Sequence, residues 1–479
     1  MAISRITFGE WTPDQPGITN GLRRAENVYS KLVGYGALPT VVDYSASASE
    51  NLNNVVAGKT TVGATLVFAG GSTKLFKLDA ADLSLDNVSK SGNYITPTDQ
   101  RWRFTQFGNV IIAANGQAKI QGYNLNSASL FADLSADAPD ARYVTVVRDF
   151  VVSGHQTDYY NRVQWSALGD ESSWATSATT QADFQDIPDG GSIVGVTGGE
   201  YGLVFMDRAI HRMSYVGSPL IFQFDNISRN LGCYEANSII QYGGTSFFLG
   251  DDGFYACDGQ NVVPIGSEKV NRFFFDNVEE STLYLMSAAV DPIKKLIIWA
   301  YASNSSSTPD SLLIYNYQTQ RWTSGTTTVD RIASTSTPAV TLEGMDVYGN
   351  LDTILTTFDS RLWLGGRLLL GGVDGAKIVT FSGANATAYL ETGDIEVSGA
   401  TSSITMVKPI VDDGSGSVAL LSRRLLTEST VFGSQTAANS ENRVSVRGIG
   451  RYHRLQLTPT GSWTSAVGMD IDLSPLGTR

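Results

Sequence analysis

Between residues 60 and 380 short β-branched or aromatic runs alternate with Gly, Asn and Asp turns at a nearly regular interval. The runs are Thr65-Leu66-Val67-Phe68, Asn109-Val110-Ile111-Ile112, Asp149-Phe150-Val151-Val152, Gly202-Leu203-Val204-Phe205, Thr245-Ser246-Phe247-Phe248 and Lys295-Leu296-Ile297-Ile298. From Val67 through Ile111, Val151, Val204 and Phe247 to Ile297 the steps are 44, 40, 53, 43 and 50 residues. Each step holds about four strands of five to six residues with their turns, the size of one propeller blade. Turn chemistry agrees: Gly70-Gly71, Asn115-Gly116, Asp252-Gly253 and Asp258-Gly259 stand just after or between apolar runs, where tight hairpins need positive φ. Helical patterning is confined to Gly21 to Lys31, Ser49 to Val56, and Ser267 to Phe275 with Ser267 as N-cap.

The stretch from Leu312 to Thr323 reads as strand, turn and strand. Within it Tyr315, Tyr317, Thr319 and Trp322 follow a Tyr-x-Tyr-x-Thr-x-x-Trp spacing that resembles the inner hairpin of kelch-like blades. There the Trp packs between neighbouring sheets and the polar turn groups bond the backbone; a ligand-stacking Trp is the alternative. Past Gly399, alternating runs such as Arg443-Val444-Ser445-Val446-Arg447 predict half-exposed strands of a separate domain with a basic outward face. The expected fold class is therefore all-β, a β-propeller of four-stranded blades. Residues 1–58 form an extended N-terminal docking segment, 59–398 the propeller and 399–479 a C-terminal β-rich domain.

Charge sharpens this division. Residues 36–399 hold 22 basic and 38 acidic groups, a net of −16, whereas 1–35 carry +1 and 400–479 carry +2. With 42% hydrophobic and 17% charged residues among 479, disorder is excluded. No signal-peptide pattern or membrane-spanning apolar run is present, so a soluble, unsecreted chain without direct membrane insertion is expected. Cys233 and Cys257 are too few for a disulfide framework and read as small buried hydrophobes in a reducing compartment.

Catalytic chemistry finds little to stand on. His155, His211 and His453 lie far apart without metal-ligand spacing, and no nucleophile elbow, phosphate loop or dinucleotide fingerprint occurs. Asp251-Asp252 and Asp412-Asp413 are carboxylate pairs of the kind a glycosidase needs, but both adjoin Gly, where Asp ordinarily caps a turn. The expectation is a protein that is not an enzyme and uses no metal or cofactor. Arg23-Arg24 and Arg423-Arg424 are too short for a nucleic-acid patch; Arg outnumbers Lys by 23 to 11, which favours interfaces over bare solubility.

The opening Phe8-Gly9-Glu10-Trp11-Thr12-Pro13-Asp14-Gln15-Pro16-Gly17, then Gly21-Leu22-Arg23-Arg24-Ala25-Glu26-Asn27-Val28-Tyr29 and Gly34-Tyr35-Gly36-Ala37-Leu38-Pro39, resembles the tail nozzle or hub proteins of short-tailed bacteriophages. The resemblance covers most of the chain through the order of its motifs. It implies a virion tail component, assembled in the host cytoplasm as a homo-oligomeric, hexameric ring below the portal and adaptor. Such a ring extends the DNA exit channel, takes part in genome retention and ejection, and holds tail fibres, spikes or a plug.

A ring needs a heterologous interface, for which Trp11, Arg23, Arg24, Tyr29 and Tyr35 are the candidates; core filling by the aromatics is the competing role. Duplex DNA carries about one negative charge per 1.7 Å, so an acidic bore lets it slide, and part of the −16 is expected there. The same charge serves solubility if it lies elsewhere. Which residues face the lumen is not legible. Two further readings stay open: a phage propeller that binds or hydrolyses host-surface glycan, and a monomeric kelch-like interaction module.

Overall fold

The computed structural model describes residues 2–17, 21–340, 363–396 and 400–477. Among the described residues, six four-stranded antiparallel sheets and a four-stranded unit within a ten-stranded sheet make seven blades that follow one another in order, each starting at its innermost strand. Blade 1 comprises Leu52–Lys59, Thr65–Gly71, Leu75–Leu78 and Leu85–Asn87. Blades 2 to 5 span 103–133, 141–186, 193–228 and 240–264, and blade 6 spans 287–326. The inner strand of blade 7, Arg331–Ser336, packs against that of blade 1 and closes the ring. This is an all-β propeller.

The six apolar runs all fall on the second strand of their blade, from Thr65–Gly71 in blade 1 to Leu296–Tyr301 in blade 6. That strand is covered on both faces by neighbouring blades, which is why it reads as a continuous hydrophobic run. A separate apolar layer fills each gap between blades. Phe68, Trp102 and Ile111 lie between blades 1 and 2, for example, and Ile298, Ile314 and Val379 between blades 6 and 7.

Blade 7 takes its fourth strand from the other end of the chain. Val42–Asp43 pairs antiparallel with Lys377–Thr380, so the ring is fastened by residues that precede blade 1. The remaining N-terminal strands join the C-terminal residues in a two-sheet sandwich. Ala2–Thr7 pairs along Ser465–Gly477, which in turn pairs with Thr401–Asp412. Leu22–Glu26 pairs antiparallel with Tyr389–Thr392 and parallel with the outer strand of blade 6, Arg321–Thr326. One ten-stranded sheet therefore runs from blade 6 into the sandwich.

Several expectations change here. Residues 1–58 are not an extended arm: they supply strands to the sandwich, to blade 7 and to blade 1, because their scattered apolar residues find partners hundreds of positions away. Gly21 to Lys31 and Ser49 to Val56 are strands, since β-ladders with distant segments outweigh weak local helix propensity. Only the third helix forms, at Asn271–Asn277; its cap position is Val270 and Ser267 does not cap it. Gly70 and Gly71 lie inside a strand, where a Cβ on Gly70 would come within 2.3 Å of the Trp102 ring. Gly116, Gly253 and Gly259 do take positive φ in turns.

Candidate functional site

The five residues assigned to an interface sit at the junction between sandwich and propeller, and most are committed within the chain. Trp11 is 2% exposed, packs edge-on against Phe273 of the short helix at 5.1 Å and donates from Nε1 to the Arg23 carbonyl. Tyr35 is fully buried and its hydroxyl donates to the Gly9 carbonyl at 2.6 Å. Both fill the core, which removes them as contacts to another subunit. Tyr29 is half-buried beneath Lys294, whose Nζ lies 5.3 Å from the ring centre. Arg24 covers the Tyr389 ring at 4.1 Å and pairs with Glu26 at 2.7 Å.

Arg23 donates to the Gln15 carbonyl at 2.7 Å and stands beside an ion cluster on the adjoining sheet. At its centre is Asp394, whose side chain is 1% exposed; it accepts from Arg423 at 2.7 Å and from both Nε and Nη2 of Arg454, at 3.0 and 2.9 Å. Arg454 also reaches Glu391 at 3.2 Å. Two of the C-terminal arginines expected on a basic outer face thus point inward. Arg443 and Arg447, alternating along one face of their strand, are exposed as expected.

In blade 6, Trp322 is completely buried and donates from Nε1 to Ile265 of the preceding blade region at 2.9 Å. It stacks on Trp299 at 5.7 Å, and Tyr315 packs at 4.8 Å. Tyr317 lies 5.1 Å from Tyr242, and Thr319 bonds Ser30 through its hydroxyl at 3.0 Å. The Asn316 side chain accepts from the backbone N–H groups of Gln318 and Thr319, fixing the turn. With no exposed face, Trp322 cannot stack on a ligand.

Contacts also run across the ring of blades. Arg101 and Arg103, at the start of blade 2, reach across it to the segments that enter blades 5 and 6. Arg101 donates from Nε to the Asn237 side chain at 2.6 Å and from Nη2 to the Met286 carbonyl at 2.8 Å. Arg103 shares the Asn237 side-chain oxygen. These residues were not singled out from sequence. The available signal was Arg-Trp-Arg at strand period, which turns both cations to one face and Trp102 to the other.

Of the acidic pairs, Asp412 ends a strand, while Asp252 accepts from the Tyr255 hydroxyl at 2.7 Å and Asp413 from the Thr464 hydroxyl at 2.9 Å. Cys233 and Cys257 are buried between blades 4 and 5, and burial pushes the Cys233 thiol up to about 12. Among the described residues, no group of three His, Cys, Asp or Glu is placed to hold a metal ion, and no helix is long and apolar enough to cross a membrane.

What the surface offers instead is apolar loop tips on the sandwich. Leu32 and Val33 cap the hairpin between Val28–Ser30 and Tyr35–Ala37 with 74% and 67% of their surface exposed. Leu425, Leu426 and Val431 stand out on the loop that follows Ser415–Arg423.

No family model matches the chain, and no curated protein matches its sequence. Solved structures with a similar chain path include the extracellular domain of BT4673 from B. thetaiotaomicron, at 13% identity and a TM-score of 0.43 over 78% of this chain. The match spans 44% of that longer chain. Others are the WD40 domain of Neurospora crassa Pan2, at 8% identity and 0.40 over 72% of this chain and 95% of that one, and the computationally designed Ika8 protein, at 8% and 0.38 over 72% and 99%.

Proposed function

We propose that this chain is a non-enzymatic subunit of a short-tailed phage tail, building the nozzle or hub ring that prolongs the DNA exit channel below portal and adaptor. The observation that carries the reading beyond the sequence resemblance is the ten-stranded sheet through which blade 6 continues into the sandwich. A wall subunit must pass load between its ends without hinging, and a shared hydrogen-bonded ladder resists that motion where a linker would not. The apolar loop tips suit contacts to neighbouring copies, to the adaptor ring, or to fibres, spikes or a plug, because isolated exposed clusters of this kind mark association surfaces.

In this reading the genome does not pass through a propeller. Duplex DNA would pass between copies, along outer surfaces drawn from the acidic residues 36–399, where few cations would grip its phosphates. Native mass measurement of the purified protein, alone and with its adaptor ring, tests the assembly. Six copies per adaptor-bound complex are expected; a strictly monomeric species in the presence of adaptor would overturn the proposal and favour a glycan-directed or kelch-like propeller.

A further inference from the structure

The two arginines that link blade 2 to the segments entering blades 5 and 6 line a cavity of about 310 Å³ shared by blades 2, 3 and 4 and those segments. Arg101 is 7% exposed, yet neither it nor Arg103 forms an ion pair with a carboxylate among the described residues. Their bonds go to the Asn237 side chain and to backbone carbonyls, all neutral acceptors. The bonds of Arg101 use Nε and Nη2, and those of Arg103 use Nη2 alone. Among the described residues, Nη1 of Arg101 and Nε and Nη1 of Arg103 have no hydrogen-bond acceptor, and the Arg103 guanidinium lies 5.6 Å from the centre of the Tyr143 ring. Burying a cation is expensive, and for Arg101 the attraction of Glu235 offsets only part of that cost. Burial, then repulsion from Arg103 and Arg331, holds the Arg101 guanidinium well below its usual pKa.

Glu235 attracts both arginines without a direct ion pair to either, and each carboxylate of the cavity has a hydrogen-bond partner of its own. Asp99 is engaged by Arg142 at 3.1 Å, Asp207 accepts from the Ser192 backbone N–H at 2.7 Å, and Glu235 accepts from that of Asn237 at 2.9 Å. We propose that this cavity binds one small oxyanion group, a phosphate or a carboxylate, through donors that Arg101 and Arg103 contribute separately. Single charge-assisted N–H donors from two guanidinium groups suit both anions. The acidic side chains around the cavity disfavour a polyanion, which separates this site from any contact with the genome. The inference does not depend on the nozzle reading.

The test is thermal unfolding of the full chain, with calorimetric titration, in inorganic phosphate, acetate and citrate against chloride at matched ionic strength. The midpoint of the wild-type protein should rise saturably with at least one oxyanion, as ligand binding to the folded state requires. A response to phosphate alone assigns a phosphoryl group, and a response to acetate or citrate alone assigns a carboxylate. Arg103→Gln should weaken the response at least tenfold while the variant keeps a cooperative transition in chloride. If that variant does not fold, Arg103→Lys retains the charge without the separate guanidinium donors and should show the same weakening. No saturable response to any of the three anions, or an unchanged response in the folded variant, overturns the proposal.

Discussion

A chain lacking residues 1–46 is expected to yield no cooperatively folded protein. The cut removes Val42–Asp43, which completes blade 7, and four strands of the sandwich or its junction with blade 6. It also removes Phe8, Trp11, Leu22, Val28, Tyr35 and Leu38, all buried. At about 1.5–3 kcal/mol for each large apolar side chain, this loss is comparable with the roughly 5–15 kcal/mol that holds a typical domain together. Soluble yield and differential scanning calorimetry check it. A truncated chain that melts in one transition within a few degrees of the full protein would mean that the segment is a dispensable docking arm after all.

Asp394→Asn should cost about 3–5 kcal/mol at neutral pH, because it leaves Arg423 and Arg454 without their shared counter-charge in a buried site. The effect carries a pH signature. Burial alone would raise the Asp394 pKa, but the hydrogen bonds and charges of Arg454 and Arg423 prevail and hold it below the ordinary carboxylate value. The folded state thus favours the ionised form, and this stability is present above the pKa of the unfolded chain. It is lost as pH falls through the lower folded value. Urea midpoints of wild type and variant should differ widely at pH 7 and converge as the pH is taken below about 4. A gap independent of pH would assign the loss to packing rather than charge.

How far the sequence disclosed this structure depends on how local each feature is. The second strand of a blade is buried on both faces, so Thr65–Gly71 and its five counterparts stood out as apolar runs. Blade 7 did not. Its inner strand Arg331–Ser336 is largely polar, its second strand Leu368–Asp374 is broken by Gly371 and Gly372, and its fourth lies more than three hundred residues away. Non-local pairing hid the sandwich in the same way: Ala2 faces Leu473 across a ladder that no periodicity can announce.

The aromatics near the N-terminus were legible as anchors but not as to what they anchor. Trp11 and Tyr35 are equally good interface or core residues until their partners Phe273 and Gly9 are placed beside them. Arg23 and Arg24 likewise looked like free cations, and their partners come from the following strand residue Glu26 and from distant backbone and ring groups. Charge segregation was visible from counting alone, whereas the direction each charge faces is a property of the assembled surface.

Electron cryomicroscopy of the protein bound to its adaptor ring, with duplex DNA present, tests the central claim most directly. Our account expects a hexameric ring with DNA running between the copies, along a bore lined mainly by Asp and Glu, while Arg101 and Arg103 keep their contacts to Asn237 in every copy. DNA threaded through a propeller, a continuous Lys and Arg lining, or solitary subunits on the adaptor would contradict it.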